Sequence, residues 1–278
     1  MPAGENKMEF TQALWSNFLS IAQIFVLGAV GFYVLKRGIL GQCCLRTVSN
    51  LVIEVTLPCF MFTNILENFK EVRGEGWFLF PAYALAMFGA GAALAALYSR
   101  IDPSVRDSRR EFISLVTFQN GGFLPIIIIG SLLPDDISGK VYVYIFLFTM
   151  IFAPIMVSAA GKIFGKNESG LPGWREMMNP AFIATAVAVV MSLIGIEDVV
   201  PQVLFRPLKL IGEATIPLSM IVVGGIMVVN YSSNAVFRTA FVSKVAALKL
   251  VVLPLAVFGL IEVLKRFAGV SLPVELEF

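Results

Sequence analysis

The stretch FQNGGFLPIIIIG, residues 118–130, lies inside a hydrophobic segment long enough to cross a bilayer. Gly121 and Gly122 have weak helix propensity, and Pro125 deprives the carbonyl of Gly121 of its helical donor. This pattern predicts a helix broken between Asn120 and Pro125. Irregular backbone at membrane depth is tolerated only where protein buries it or where it lines a wet cavity, so the expected break is also an expected binding site. From Pro125 onward the second half-helix begins with N–H groups that lack intrahelical partners and attract an anion such as a carboxylate. Gln119 and Asn120 add amides that donate or accept beside it. The competing reading is a packing kink, with the glycines admitting a neighbouring helix and the amides bonding between helices.

The rest of the chain supplies the membrane. Of 278 residues, 58% are hydrophobic and 14% charged, against roughly 25% charged in soluble domains. With a mean hydropathy of +0.84, this is an all-α integral membrane protein. A spanning helix needs about 20 apolar residues. Eight stretches qualify: 12–35, 45–66, 77–99, 110–133, 141–164, 179–195, 203–229 and 240–265. The first reads as a retained helix, because Glu5, Lys7 and Glu9 give its leader no positive charge and no A-x-A site closes it.

Lys36, Arg37, Arg46, Arg100, Arg106, Arg109, Arg110, Lys162, Lys166, Arg175, Arg238 and Lys244 lie in or near the odd-numbered loops, while Lys7, Lys70, Arg73, Lys140, Arg206, Lys209, Lys265 and Arg266 do not. Most acids, including Glu67, Glu71, Glu75, Asp135 and Asp136, lie on the other side. The positive-inside rule then predicts a multi-pass protein of the plasma or inner membrane, with cytoplasmic odd-numbered loops and an outside N-terminus.

The absence of histidine removes imidazole relays and histidine metal sites, and Cys43, Cys44 and Cys59 fit no zinc or haem spacing. No metal, cofactor or nucleic-acid partner is expected. No phosphate-binding G-x-x-x-x-G-K-[ST] motif is present, which favours gradient coupling over ATP.

Two segments repeat. LVIEVTLPCFMF (51–62) aligns with LIGEATIPLSMI (210–221), placing Leu51, Glu54, Thr56, Pro58 and Met61 on Leu210, Glu213, Thr215, Pro217 and Met220. The same offset carries Trp15 onto Trp174 and the first three hydrophobic stretches onto the sixth to eighth. Five helices is an odd number, so the second copy enters from the opposite side. The expected organisation is an inverted five-helix repeat, residues 1–165, followed by an incomplete one, 166–278.

Pro58 frees the carbonyl of Glu54, and Pro217 that of Glu213. Each copy thus offers a carboxylate, an unpaired carbonyl and a threonine, Thr56 or Thr215, within one turn. These six residues are candidates for a proton- or cation-coupling position. The alternative is a proline kink whose Glu is satisfied in the bundle or faces a wet vestibule.

TLPCFMF in the second stretch, FQNGGFLPI in the fourth, NPAFIATAVAVVMSLIG in the sixth and GEATIPLSMIVVGG in the seventh together resemble the auxin efflux carrier family of membrane transporters. The resemblance covers almost the whole chain. It implies ten helices in two inverted repeats, with the fourth and ninth broken and crossing at the substrate. It also implies transport of organic anions such as carboxylates, and members that are commonly homodimers. Carried over by position, Asn120 contacts substrate and Pro125 marks the crossover. The chain departs from the pattern where Ile126 and Ile127 follow Pro125, and where it reaches Phe278 with eight helices of the expected ten.

The leading expectation is a permease for a small organic anion, working by alternating access and coupled to H+ or Na+. A sodium-coupled carrier of the wider bile-acid transporter group is a close variant. A membrane sensor or receptor that binds without transport is the alternative. An intramembrane enzyme ranks third, because Glu54 and Glu213 have no accompanying nucleophile or metal-ligand cluster.

Overall fold

The computed structural model describes residues 3–74, 76–119, 121–133, 135–163, 178–232 and 239–259. All eight hydrophobic stretches are helical there, and no strand occurs among the described residues. The first is α1 (Ala3–Lys36). The second holds α2 (Gln42–Leu51), a π turn at Val52–Thr56 and α3 (Leu57–Val72), and the third is α4 (Leu79–Ile101). The fourth is split into α5 (Arg109–Thr117) and α6 (Phe123–Leu132), and α7 (Asp135–Ile163) and α8 (Pro180–Ile194) follow. The seventh is α9 (Gln202–Glu213) with α10 (Thr215–Ser232). The eighth is α11 (Thr239–Ala247), a second π turn at Leu248–Val252, and α12 (253–259). Four of these helical runs are long and apolar enough to cross a membrane: Gln42–Val72, Leu79–Ile101, Gln202–Val229 and Thr239–Gly259.

Two compact units emerge. The first comprises Met1–Glu71, Gly122–Ile145 and Pro180–Ala235; the second comprises Val72–Gly121, Phe146–Asn179 and Val236–Phe278. Each draws on both halves of the expected repeat. The boundary after Glu71, moved by the repeat's offset, lands near the boundary after Ala235.

In the first unit α1 and α10 approach backbone to backbone. A Cβ on Gly224 would collide with the carbonyl of Gly28, and one on Gly31 with the carbonyl of Ile221. Small residues permit this closeness, from which helices in lipid gain their packing. Leu35, Leu45 and Val222 close a core beside the crossing. Gly212 of α9 plays the same part against the second stretch, since its Cβ would lie 2.8 Å from the backbone of Phe60.

Ion pairs tie one end of this unit together: Lys209 with Glu67 at 2.7 Å, Lys70 with Glu197 at 2.5 Å, and Lys140 with Glu71 at 3.2 Å. All six charges belong to the second, fourth and sixth loops or the helix ends beside them. Glu197 is buried, whereas Lys209–Glu67 and Lys140–Glu71 lie nearer the surface, where such pairs add little stability. Their value here is that they join only charges which the loop count assigns to one side.

The second unit packs α4, α5 and α11 around Ala95, Val105, Phe112, Val116 and Leu248. Tyr98 stacks on Phe112 at 5.5 Å, and Phe112 meets Phe241 edge-on at 5.7 Å. Asp102, just past α4, accepts from the Ser104 N–H at 2.9 Å, the Ser104 hydroxyl at 2.6 Å, the Tyr98 hydroxyl at 3.1 Å and Lys244 at 2.5 Å. The Lys244 ammonium, foremost among these donors, holds the Asp102 carboxyl well below the usual carboxylate range. This cluster joins the third loop to the start of the eighth stretch, again two places that the loop count puts on one side.

Candidate functional site

The fourth stretch is broken, but earlier than Asn120–Pro125. α5 ends at Thr117, and α6 begins at Phe123 with Gly122 as its N-cap at φ −109°, ψ −80°. Pro125 is therefore the third residue of α6. Its missing N–H costs nothing in a first turn, where N–H groups have no intrahelical partner anyway. The Ile126 N–H bonds to the Gly122 carbonyl at 3.1 Å. The glycines, not the proline, carry the break. Asn120 lies outside the described residues.

The end of α5 explains what keeps the break in place. Phe118 N–H closes the helix on the Ser114 carbonyl at 2.9 Å, and the carbonyls that follow have no helical donor. Gln119 turns its amide back to the Val116 carbonyl at 2.9 Å. Lys249, from the eighth stretch, donates to the Leu115 carbonyl at 3.0 Å and to the Phe118 carbonyl at 2.7 Å. A side-chain amide and an ammonium thus take the place of the missing turn. Gly91 lets α4 approach α5 here, a Cβ on it lying 3.3 Å from the Thr117 Cα. The Thr117 hydroxyl is buried without a hydrogen-bond partner among the described residues. At Gly121 a Cβ would sit 3.0 Å from the Phe148 ring.

Lys249 is the residue that sequence reading passes over. It lies midway along Thr239–Gly259, where a lysine costs about 2.5–3.5 kcal/mol to insert. Two charge-assisted hydrogen bonds, each worth about 1.5–3 kcal/mol, are of the size needed to offset that. The second π turn places it. Pro254 lacks an N–H for the Leu250 carbonyl, and the preceding turn widens so that the Leu253 N–H reaches the Leu248 carbonyl instead. The sequence does contain the signal, a lone charge in the apolar run LKLVVLP (248–254) ahead of a proline. Lys249 and Gln119 line one cavity of about 330 Å³, whose remaining walls include Met87, Leu253, Val257 and Phe258. A fixed ammonium, an amide and apolar walls suit a compact anion with an apolar body.

The second candidate set lies in the first unit. The π turn Val52–Thr56 precedes Pro58 as the other precedes Pro254, with the Leu57 N–H on the Val52 carbonyl. The Thr56 hydroxyl goes to that same carbonyl at 3.4 Å, rather than to the freed carbonyl of Glu54. In the seventh stretch regular helix stops at Glu213 and resumes at Thr215, ahead of Pro217. Both segments therefore leave α geometry, at positions that the expected repeat would align. Thr215 is buried, its hydroxyl without a partner among the described residues, while its carbonyl accepts from Ser219 at 2.6 Å. Glu54 and Glu213 are exposed, and neither carboxylate has an ion pair or side-chain hydrogen bond among the described residues. Of the glycines expected to pack helices, Gly31, Gly224 and Gly225 do so, whereas a Cβ on Gly28 would meet nothing within 4 Å.

Long apolar helices, one of them interrupted beside a mainly apolar cavity, define a helical membrane protein. The chain belongs to the membrane transport protein family, whose profile matches residues 17–172 and 169–272, in agreement with the auxin-carrier resemblance. It is similar to protein ECM3 of Saccharomyces cerevisiae, at 26% identity over 121 residues, 44% of this chain and 20% of that protein. It is also similar to two proteins of that yeast named uncharacterized transporters. YNL095C is 29% identical over 123 residues, 44% of this chain and 19% of its own length. YLR152C is 28% identical over 152 residues, 50% of this chain and 26% of its own length. The chain thus matches about a fifth to a quarter of the length of these relatives.

Proposed function

We propose that the chain is a secondary active transporter that moves a small organic anion such as a carboxylate by alternating access, coupled to protons or sodium. The carrying observation is the helix break at residues 118–122, capped by Lys249 and Gln119 beside a mainly apolar cavity. Family membership supports the transport class, and the ammonium supports an anion. Alternating access needs two bodies, and the chain has two compact units, each of which takes segments from both 1–165 and 166–278, the two copies of the inverted repeat in this reading. In this reading Gln119, Asn120, Gly121, Gly122 and Pro125 form the substrate region, and Glu54, Thr56, Pro58, Glu213, Thr215 and Pro217 serve coupling.

The test is counterflow with the full chain in sealed vesicles, preloaded with benzoate or malonate and given the same labelled anion outside. Transient accumulation above equilibrium is expected for at least one anion and absent for its neutral amide. Saturable binding without counterflow would replace the carrier with a membrane sensor.

A further inference from the structure

We propose that Lys249 is the built-in cation of this site, its ammonium filling the position between the Leu115 and Phe118 carbonyls that a coupling sodium ion would take. The inference rests on the transporter reading for its consequence, that transport runs without sodium.

A helix end at membrane depth leaves carbonyl oxygens directed into a confined space, and such oxygens are the ligands hard cations use. Here the oxygens of Leu115 and Phe118 are the ends of bonds from one ammonium, at 3.0 and 2.7 Å. The Lys249 charge arrives on a different helix from the one it caps, delivered by a π turn and held at the middle of its span. The Val116 carbonyl between them is taken by Gln119. A sodium ion entering this group would have to displace the ammonium or sit beside a like charge. Because the ammonium is tethered, it stays beside the negative end of α5 and leaves its third N–H for other use.

Thermal unfolding of the full chain in detergent, in sodium chloride against choline chloride of equal ionic strength, tests this with the metal alone. The wild type should show no sodium-specific shift. Lys249→Ala vacates the carbonyls, and its Tm should rise by a few degrees, saturably, with sodium or methylammonium but not choline. Lys249→Arg should behave as wild type. A saturable sodium-specific shift of the wild type overturns the proposal, as does a Lys249→Ala protein that neither cation stabilises.

A second readout needs no variant. Acylation of Lys249 by an amine-reactive ester, followed by peptide mass analysis, should proceed at a rate that sodium leaves unchanged. Acceleration by sodium, and not by choline, would mean that the metal expels the ammonium, and would sink the idea. None of these measurements uses a gradient. Failure of counterflow leaves this assignment standing, and sodium binding to the wild type leaves the carrier standing.

Discussion

Asp102 shows how one side chain organises the end of a unit. Its carboxylate receives Lys244, Tyr98 and both donors of Ser104, so the charged form is favoured in the fold over the free chain. A carboxyl lowered in this way contributes stability above its unfolded value, about 3.9, and loses it as pH falls through the folded value. The Tm difference between wild type and Asp102→Asn should therefore be constant above about pH 5 and shrink as pH drops below about 4. A difference independent of pH would mean that packing, not charge, holds the cluster. Lys249 is the counterpart inside the membrane span, where a cation meets carbonyls instead of a carboxylate. Periodicity and motif reading found Gln119 and the break but not Lys249. Its importance lies in a contact between residues more than a hundred positions apart, which spacing along the chain does not encode.

At the scale of elements, prolines and glycines divide the work differently from what their propensities alone suggest. Pro58 and Pro254 each follow a π turn, which moves the carbonyl that the ring would strike and widens the helix at a charged residue, Glu54 or Lys249. Pro125 breaks nothing, because it falls in the first turn of α6. Position within a helix decides a proline's effect, and that position depends on where the neighbouring glycines let the chain turn.

The glycines at helix crossings carry the firmest mutational expectation. Gly224→Val drives a side chain into the Gly28 backbone, which cannot yield without separating α1 from α10. It should destabilise by at least the ~1–3 kcal/mol typical of overpacking. Gly89→Ala in α4 meets nothing within 4 Å and should be neutral or gain up to ~1 kcal/mol from helix propensity. Thermal unfolding in detergent checks the pair, and equal losses at both positions would refute the crossing as the cause.

For the whole molecule, the ion pairs Lys209–Glu67, Lys70–Glu197, Lys140–Glu71 and Lys244–Asp102 each join charges that the loop count puts on one side. If the positive-inside assignment also gives the direction, the exposed Cys43 and Cys44 of the first loop face the cytoplasm. In a Cys59→Ser background an impermeant maleimide should label them in inverted vesicles and not in intact cells. The reverse pattern would invert the topology while keeping the pairings. Sequence by itself determined the helical membrane class, the eight apolar stretches, the broken fourth helix and the family, because these rest on composition and local backbone chemistry. Only the tertiary structure decided where the break falls, how the two units draw on both halves, and that Lys249 caps α5. Those are long-range contacts, fixed by packing and by the need of buried carbonyls for donors.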